Sequence, residues 1–316
     1  MKTSFFITDQ HGKKLHTLKW VPEGETLTGV VQICHGLSEH AERYSQFARF
    51  LNKIGLAVYA HDHRGHGKTD PDSLGFVDSP DTFSLMVENI EDVRTHLTRV
   101  YPNLPHIMFG HSMGSFLLQR YMQTYDFKPA ALIYSGSSGK PPITLGGGIF
   151  LSGLIRKLWG DSEHSLLIHR LTFGAYNKSF DPADTEFDWL SRDSEMVSLY
   201  IDDRFCGFIP SVSFYNDFFL GLRTMHRKQV FAENSRDIPT LIISGSRDPV
   251  SGGEKGIRSL EKILRDSGVK NLRVKIYPEG RHEMLNETNR IEVMRDILDW
   301  LKPIVNGKQD TKPTIH

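Results

Sequence analysis

Short apolar runs alternate with longer amphipathic stretches along most of the chain. Most of these runs are followed by glycine or polar residues, which is typical of buried strands. Eight runs predict strands, over residues 4–8, 15–20, 30–34, 57–61, 106–109, 130–135, 239–245 and 272–277. The first two flank Gly12 and predict an opening hairpin.

Between these strands, apolar residues recur at spacings of three and four, the period of an amphipathic helix. The stretch from Phe83 to Leu97 shows this spacing clearly, with Met86, Ile90 and Val93 between them. The pattern predicts helices over residues 41–54, 81–101, 116–123, 254–266 and 291–301. Alternating strands and helices indicate a mostly parallel sheet with helical crossovers.

The alternation stops after the sixth strand and resumes at the seventh. Residues 136–237 begin with glycine, serine and proline and continue in helical segments rich in Phe, Leu, Trp and Met, with no clear strand. We therefore predict an α/β fold with an eight-stranded, mostly parallel sheet and a helical cap inserted after strand 6. The predicted core covers 1–135 and 238–305, the cap 136–237, and a flexible tail 306–316.

Composition and charge argue against a nucleic-acid-binding, a secreted or a membrane-spanning protein. The 316 residues include 38 Lys plus Arg and 38 Asp plus Glu, so no overall field attracts nucleic acid. Cys34 and Cys206 show neither a disulfide nor a metal-binding pattern, which favours a reducing compartment. The first residues lack the apolar segment of a secretory signal, and no run is long enough to span a bilayer. We expect a cytoplasmic protein.

The strongest chemical signal is the motif GHSMG at 110–114, between a predicted strand and a predicted helix. In a nucleophile elbow, the serine occupies a sharp strand-to-helix turn that leaves no room for side chains at the flanking glycines. The motif therefore predicts Ser112 as a nucleophile. The alternative is a glycine-rich turn with an incidental serine.

A serine nucleophile needs a histidine base, and the histidine needs an acid to orient it. Asp248 follows the seventh predicted strand and His282 follows the eighth. The chain order serine, acid, histidine is that of the α/β-hydrolases. Asp202 and Asp217 are alternative acids, although neither follows a core strand.

Acyl transfer also needs backbone N–H donors for the oxyanion. The residue after the nucleophile normally supplies one donor, and the loop after the third strand supplies the other. These rules predict the N–H groups of Met113 and Leu37.

A rival signal is the spacing HxHxxH formed by His61, His63 and His66, which binds zinc in some hydrolases. Gly65 stands where that zinc pattern needs a metal-binding aspartate. We therefore predict no metal site at these histidines.

Several motifs together resemble the monoacylglycerol lipase and lysophospholipase branch of the α/β-hydrolase superfamily, often catalogued as serine-aminopeptidase-like. They are HGLSEHAERY, DHRGHGKT, GHSMGS, SRDPV and GRHE. The resemblance implies an α/β-hydrolase fold and a serine hydrolase that removes a fatty acyl chain from a glycerol-type head group without metal or cofactor. It also places Glu39 and Arg43 in a polar, substrate-binding network at the alcohol end of the pocket. A plain salt bridge is the alternative. Ser38 stands where those lipases usually have glycine.

The cap of such a hydrolase lies above the nucleophile and forms a wall of the pocket. The apolar residues of the cap therefore indicate what kind of substrate the pocket binds. They include Ile149, Phe150, Leu151, Leu154, Ile155, Leu158, Trp159, Phe173, Phe205, Phe208, Phe214, Phe218 and Phe219. An acyl chain fits such a surface, although the same residues would also form the cap's own core. The run 145–159 is apolar and fits either peripheral contact with a membrane or a helix that lines the pocket.

The predicted function is hydrolysis of monoacylglycerol or lysophospholipid esters through an acyl-enzyme. A short-chain carboxylesterase remains open, as does a proline-type aminopeptidase that holds its substrate's amine with Asp181, Asp184, Glu186 or Asp188. An alternative of another class is a catalytically silent α/β-hydrolase that binds a ligand. Oligomeric state, acyl-chain length and head group are left open by the sequence.

Overall fold

Eight strands form one sheet in the computed structural model, which describes residues 1–24, 26–141, 144–180, 182–227 and 236–306. The strands are β1 Lys2–Thr8, β2 Lys14–Trp20, β3 Gly29–Cys34, β4 Leu56–His61, β5 His106–His111, β6 Ala131–Ser135, β7 Thr240–Gly245 and β8 Leu272–Tyr277. All eight predicted strands are present, and each predicted boundary lies within two residues of the observed one.

The strand order is β1-β2-β4-β3-β5-β6-β7-β8. The hairpin of β1 and β2 is antiparallel, β2 joins β4 antiparallel, and all other pairs are parallel. The predicted eight-stranded, mostly parallel sheet is confirmed. Because the carboxyl ends of β3, β5, β7 and β8 meet at one edge, the loops that follow them lie at the same end of the sheet.

The helices are α1 Ser45–Asn52, α2 Thr82–Val100, α3 Met113–Thr124, α4 Leu145–Trp159, α5 Leu166–Phe173, α6 Ser194–Asp202, α7 Val212–Arg227, α8 Gly253–Asp266 and α9 Arg290–Asn306. Short 3₁₀ turns cover Ala41–Tyr44, Tyr176–Phe180 and Met284–Asn286.

Three of the predicted helices differ from the observed ones by three residues or more at one end. Helix α3 begins at Met113, three residues before the predicted start. The helix predicted over 41–54 is a 3₁₀ turn followed by α1, since the N–H of Ala41 donates to Asp62 (2.9 Å) and ties the first turn to the loop after β4. Helix α9 continues five residues beyond the predicted end at Leu301 because its apolar face continues, with Val305 buried.

Helices cover both faces of the sheet. In β5, Ile107 and Phe109 pack with α1 and α9 on one face, whereas Met108 packs with α2, α3 and α8 on the other. This alternation follows from the two-residue period of a strand. The buried sheet is thus a rigid base for the loops at its carboxyl edge.

Four helices, α4 to α7, lie between β6 and β7, in the stretch predicted to be a helical cap. The described residues of this stretch, 136–141, 144–180, 182–227 and 236–237, contain no strand. We call it the helical insertion. Part of it forms an apolar cluster of its own, with Phe180, Trp189, Leu190, Tyr200 and Cys206. The division into core, cap and tail stays a prediction, and residues 307–316 lie outside the described ranges.

Candidate active site

Ser112 occupies the turn between β5 and α3. Its backbone has φ +50° and ψ −120°, a conformation that costs energy in any residue with a side chain. A Cβ added at Gly110 would lie 2.6 Å from the carbonyl oxygen of Gly114, and one added at Gly114 would lie 2.1 Å from that of Cys34. Only glycine fits at either position, and the tight turn presents Ser112 at the edge of the sheet.

His282 and Asp248 form a buried pair in the loops after β8 and β7. The His282 Nδ1 and the Asp248 Oδ1 are 2.9 Å apart, and both side chains are almost completely buried. Asp248 also accepts hydrogen bonds from the N–H of Val250 (2.9 Å) and the hydroxyl of Ser244 (3.2 Å). With Asp248 as acceptor, the imidazole carries its proton on Nδ1, which leaves Nε2 free to accept another.

The two groups shift each other's pKa. Burial lowers the pKa of His282, but the charge of Asp248 and their hydrogen bond outweigh it, and the pKa is raised above 6.5. Burial raises the pKa of Asp248, yet the His282 charge and the hydrogen bonds it accepts leave the pKa below 3.8. The carboxylate is therefore charged and favours an imidazole that takes up a proton.

Two aromatic rings pack against the imidazole of His282. The ring centroid of His111 lies 4.7 Å away and that of Trp189 lies 5.2 Å away. The backbone joins in, since the N–H of His282 donates to the carbonyl of Trp189 (3.3 Å) and that of Glu283 donates to Leu190 (2.8 Å). Trp189 belongs to the helical insertion, so the insertion helps to position this histidine.

The loop after β3 lies beside Ser112. A Cβ added at Gly36 would lie 3.3 Å from the Cβ of Ser112, and α3 begins against the end of β3 through Gly114. Among the residues that the structure describes, the N–H groups of Leu37 and Met113 have no hydrogen-bond acceptor. Two unengaged donors in segments that touch the serine suit an oxyanion hole.

Glu39 and Arg43 belong to a buried ionic network. Arg43 donates to Glu39 (2.8 Å) and binds both carboxylate oxygens of Glu283 (2.6 Å each). Glu39 in turn accepts from the N–H of Gly36 (2.5 Å) and the hydroxyl of Tyr44 (2.9 Å). The network thus connects the loop of Leu37 to the loop of His282. A substrate contact by Glu39 or Arg43 stays a prediction.

Ser38, which stands where the related lipases usually have glycine, makes contacts that glycine could not make through a side chain. Its φ is +54°, a conformation that glycine adopts more easily. The Ser38 hydroxyl donates to the carbonyl of Phe208 (2.8 Å), and its carbonyl accepts from Tyr200 (2.9 Å) and from the N–H of Gly207 (3.0 Å). The side chain therefore links the loop after β3 to the helical insertion.

Ser112 and His282 line one cavity of about 490 Å³. Phe173, Phe187, Trp189 and Phe208 supply apolar surface to the same cavity, which Glu39 and Glu283 also line. The Ser112 side chain, the His282 imidazole and the backbone of Leu37 thus border a single space that has apolar walls and a polar patch.

Residues 25–289 match the family described as serine aminopeptidase, S33. The chain belongs to this family. The matched stretch contains Ser112, Asp248 and His282, and the family resemblance predicted from the motifs is confirmed.

Proteins similar to this member of the serine aminopeptidase family include lipases and esterases. A monoacylglycerol lipase of Mycolicibacterium smegmatis is 28% identical over 296 residues, which cover 89% of this chain and 90% of that protein. A monoglyceride lipase of Mus musculus is 25% identical over 294 residues, covering 90% and 88%. The crystal structure of a highly thermostable carboxyl esterase from Bacillus coagulans, in complex with glycerol, has a TM-score of 0.86 at 27% identity and covers 96% and 99%. The α/β-hydrolase fold is confirmed, and the similarities support an ester hydrolase.

The alternative acids lie elsewhere in this member of the serine aminopeptidase family. Asp217 is buried between α7 and α2, where it accepts from the N–H of Thr82 (2.9 Å) and pairs with Arg156 (3.2 Å). Asp202 is exposed at the end of α6. Of the three candidates, Asp248 is the carboxylate bonded to His282.

Of the carboxylates considered for an aminopeptidase, two line the cavity and one is engaged with the backbone. Asp184 and Glu186 line the cavity together with Arg170. Asp188 instead accepts from the backbone N–H groups of Asp184 and Thr185 (2.7 and 3.2 Å). Asp181 lies outside the described residues.

The histidines of the HxHxxH spacing lie buried behind the loop after β3. His66 Nε2 accepts from the N–H of Ser38 (3.2 Å), and the His61 and His63 rings have no hydrogen-bond partner in the described ranges. Burial lowers the pKa of His61 and of His66 to about 4, so both are neutral. These rings support the loop and do not form a metal site, since their ligand atoms do not all lie within 4.8 Å of one another.

Sequence reasoning missed the contribution of Trp189 and Tyr200. Both lie in the helical insertion, far along the chain from the residues that they contact. Their signal in the sequence is weak, because an aromatic residue in a helical stretch is most simply interpreted as part of a core.

Proposed function

We propose that this protein is a serine hydrolase that cleaves the acyl ester of monoacylglycerols or lysophospholipids through an acyl-enzyme on Ser112. The observation that carries the proposal is the buried pair of His282 and Asp248, whose imidazole lines the same cavity as Ser112. The lipase and esterase relatives support the same chemistry.

In the proposed first step, the Ser112 oxygen attacks the ester carbonyl carbon and its proton passes to Nε2 of His282. The carbonyl electron pair moves to the oxygen, where the N–H groups of Leu37 and Met113 stabilise the negative charge. The carbon–oxygen bond to the alcohol then breaks, and His282 gives its proton to the leaving oxygen. Asp248 stays ionised and stabilises the imidazolium.

In the second step, water repeats this sequence on the acyl-enzyme. His282 takes a proton from the water, whose oxygen attacks the acyl carbon, and the fatty acid leaves as the proton returns to Ser112. The ester and one water molecule are consumed, and the groups of the chain are regenerated, because the proton transfers balance in each half of the reaction.

The cavity favours an acyl substrate with a polar head. The apolar side chains of Phe173, Phe187 and Phe208 would pack along the acyl chain, whereas Glu39 and Glu283 would face the alcohol. A volume of about 490 Å³ lies within the usual range for small-molecule sites.

The test is release of fatty acid from 1-monooleoylglycerol, lysophosphatidylcholine and a short-chain acetyl ester. Ser112→Ala is expected to lower turnover by ~10⁴-fold or more, because the three residues act as a unit. Ser259→Ala, on α8, is the matched control and keeps full activity. A loss below tenfold in Ser112→Ala would reject the assignment. Cleavage of the acetyl ester alone would favour the short-chain carboxylesterase.

A second candidate, a proline-type aminopeptidase, is favoured by one observation. Asp184 and Glu186 line the cavity and would face a substrate's free amine. Hydrolysis of a prolyl anilide that is lost in the double variant Asp184→Asn, Glu186→Gln would support it. Release of fatty acid without any anilide hydrolysis would rule it out.

Peripheral contact with a lipid surface is part of the proposal. Phe150, Leu158 and Trp159 of α4 are 74%, 61% and 66% exposed, and α5 adds the exposed Leu167 and Leu171. An apolar surface of this kind partitions into the interface of a bilayer. No helix in the described ranges is long and apolar enough to cross a membrane.

Co-sedimentation with phosphatidylcholine vesicles tests this contact. The double variant Phe150→Ser, Trp159→Ser is expected to lose most of its binding, whereas Ile291→Ser, at an exposed apolar position of α9, retains it. Equal binding by the wild type and the double variant would reject a lipid contact through α4.

A further inference from the structure

Three side chains that bind metals converge where the loop after β3 meets the helical insertion. One ligand atom from each of His40, Asp203 and Cys206 lies within 4.8 Å of the other two. The Nε2 of His40 and the Oδ2 of Asp203 are 2.8 Å apart. In the part of the chain that the structure describes, this is the one group of three or more such residues that meets this distance.

We propose that His40, Asp203 and Cys206 form a binding site for Zn²⁺. The site supplies one nitrogen, one oxygen and one sulfur, a mixture that zinc accepts, at bonds of about 2.0 to 2.3 Å. Ligand atoms around a tetrahedral zinc with these bonds lie about 3.3 to 3.8 Å apart. The His40 nitrogen and the Asp203 oxygen, 2.8 Å apart, need to open slightly to reach this separation. Three protein ligands leave the fourth position for water.

The surroundings orient the ligands. The second oxygen of Asp203 accepts from the N–H of Phe205 (2.9 Å), which turns Oδ2 towards His40. The N–H of Cys206 donates to the carbonyl of Asp203 (2.9 Å), and this turn brings the thiol back towards the carboxylate. Supporting hydrogen bonds of this type raise the affinity of metal sites.

The site is also accessible. The side chain of Asp203 is 31% exposed and that of His40 is 10% exposed, whereas Cys206 lies buried behind them. The Cys206 thiol makes no hydrogen bond within the described ranges. A cation therefore reaches the carboxylate from solvent and meets an unengaged sulfur beneath it.

The nearby charges favour a dication. Arg43 is the guanidinium beside the thiol, and the carboxylates of Asp203, Glu39 and Glu283 act on the same group. Glu39 and Glu283 are paired with Arg43 (2.8 and 2.6 Å), which leaves Asp203 as the carboxylate that would face a dication.

The free thiol holds its proton. Burial raises the pKa of Cys206 well above its ordinary value, Arg43 opposes this shift, and Asp203, Glu39 and Glu283 add to it. Zinc must displace this proton to bind the thiolate, so zinc affinity is expected to rise with pH.

Binding would strengthen an existing connection. His40 follows Glu39, which holds the N–H of Gly36, and Cys206 precedes Gly207, whose N–H holds the carbonyl of Ser38. Zinc would thus tie the loop of Leu37 to the helical insertion. This inference does not depend on the proposed ester hydrolysis, because binding is measured directly.

The experiment is titration of the reduced, tag-free, full-length protein with Co²⁺, which takes zinc positions and reports a thiolate ligand by charge-transfer absorption in the near ultraviolet. One equivalent is expected to produce this band, and added Zn²⁺ is expected to abolish it and to raise the melting temperature. Cys206→Ala is expected to lose the band. Cys34→Ala is the matched control and keeps it, because Cys34 lies in β3 outside the site.

Asp203→Asn and His40→Gln keep the thiol and test the other two ligands. Each is expected to weaken Zn²⁺ binding by at least ~10-fold, with an unchanged circular dichroism spectrum. Absence of a thiolate band in the wild type, or its persistence in Cys206→Ala, would overturn the proposal. If Cys206→Ala fails to fold, unchanged Zn²⁺ affinity in both other variants would overturn it equally.

Discussion

The carboxyl edge of the sheet and the helical insertion contribute to the candidate site in different ways. The edge carries Ser112 directly after β5, and Asp248 and His282 in the loops that follow β7 and β8. The insertion instead presents large exposed apolar side chains, such as Phe150 and Trp159, and packs partly around its own cluster.

The two regions nevertheless meet at the candidate site. Trp189 packs against His282 and also accepts a hydrogen bond from its backbone, while Tyr200 binds the carbonyl of Ser38. The comparison indicates a division of labour. The sheet edge carries the candidate reacting groups, and the insertion supplies cavity walls and part of the support for the loops.

The largest effect on activity is expected from Asp248→Asn at the sheet edge. An amide in place of the carboxylate favours the wrong tautomer of His282 and cannot stabilise the imidazolium, so kcat is expected to fall by ~10⁴-fold. Steady-state hydrolysis of a monoacylglycerol measures it. Asp237→Asn, just before the other end of β7, is the control and keeps activity. A fall of less than tenfold in Asp248→Asn would assign the acid elsewhere.

The next largest effect is expected from Arg43→Met, which removes the connection between the two loops. Glu39 and Glu283 would remain buried without their cation, and such losses cost about 3 to 5 kcal/mol of unfolding free energy. Denaturant unfolding measures this cost, and activity is expected to fall as well. Arg49→Met, at an exposed position of α1, should change stability by about 0.5 kcal/mol or less. Equal stability of the two variants would contradict the network.

A smaller, graded effect is expected from pH. Hydrolysis needs His282 without its extra proton, and the pKa of His282 is raised above 6.5. Activity is therefore expected to be high above this pKa and to begin falling at a pH above 6.5, by about tenfold per unit further down. The profile of kcat/KM against pH measures it. A profile that stays flat down to pH 5 would contradict a histidine base.

The smallest effect is expected at the contact between the regions. Ser38→Gly keeps the positive φ but loses the hydroxyl bond to Phe208, which contributes about 1 kcal/mol. Ser38→Ala loses the same bond and also retains a Cβ in a strained conformation, so it should be the less stable of the two. Denaturant unfolding compares them. Wild-type stability in Ser38→Ala would show that the contact contributes nothing.

Much of the fold follows from local patterns. The strands were predictable because apolar runs such as 57–61 and 106–109 are short and end at polar residues or glycine. The elbow at Ser112 was predictable for a steric reason, since its two glycines are required by backbone contacts of under 3 Å. The order of Ser112, Asp248 and His282 follows from the topology of a parallel sheet.

The rest depends on contacts between distant residues. Ser38 and Tyr200 are 162 positions apart, and His40 and Asp203 are 163 apart. Spacing along the chain carries no signal for such pairs, because they depend on how the helical insertion packs against the sheet edge. The exposure of the apolar side chains of α4 was equally unpredictable from the sequence. An apolar helix has the same sequence pattern whether it lines a core or faces solvent.

The most direct test of the central claim, that the sheet edge carries the reacting nucleophile, is covalent labelling with a fluorophosphonate followed by mass spectrometry. The account predicts one adduct, on the peptide that contains Ser112, in the wild type and in Ser259→Ala, and none in Ser112→Ala. Absence of an adduct in the wild type, or an adduct on another serine, would contradict it.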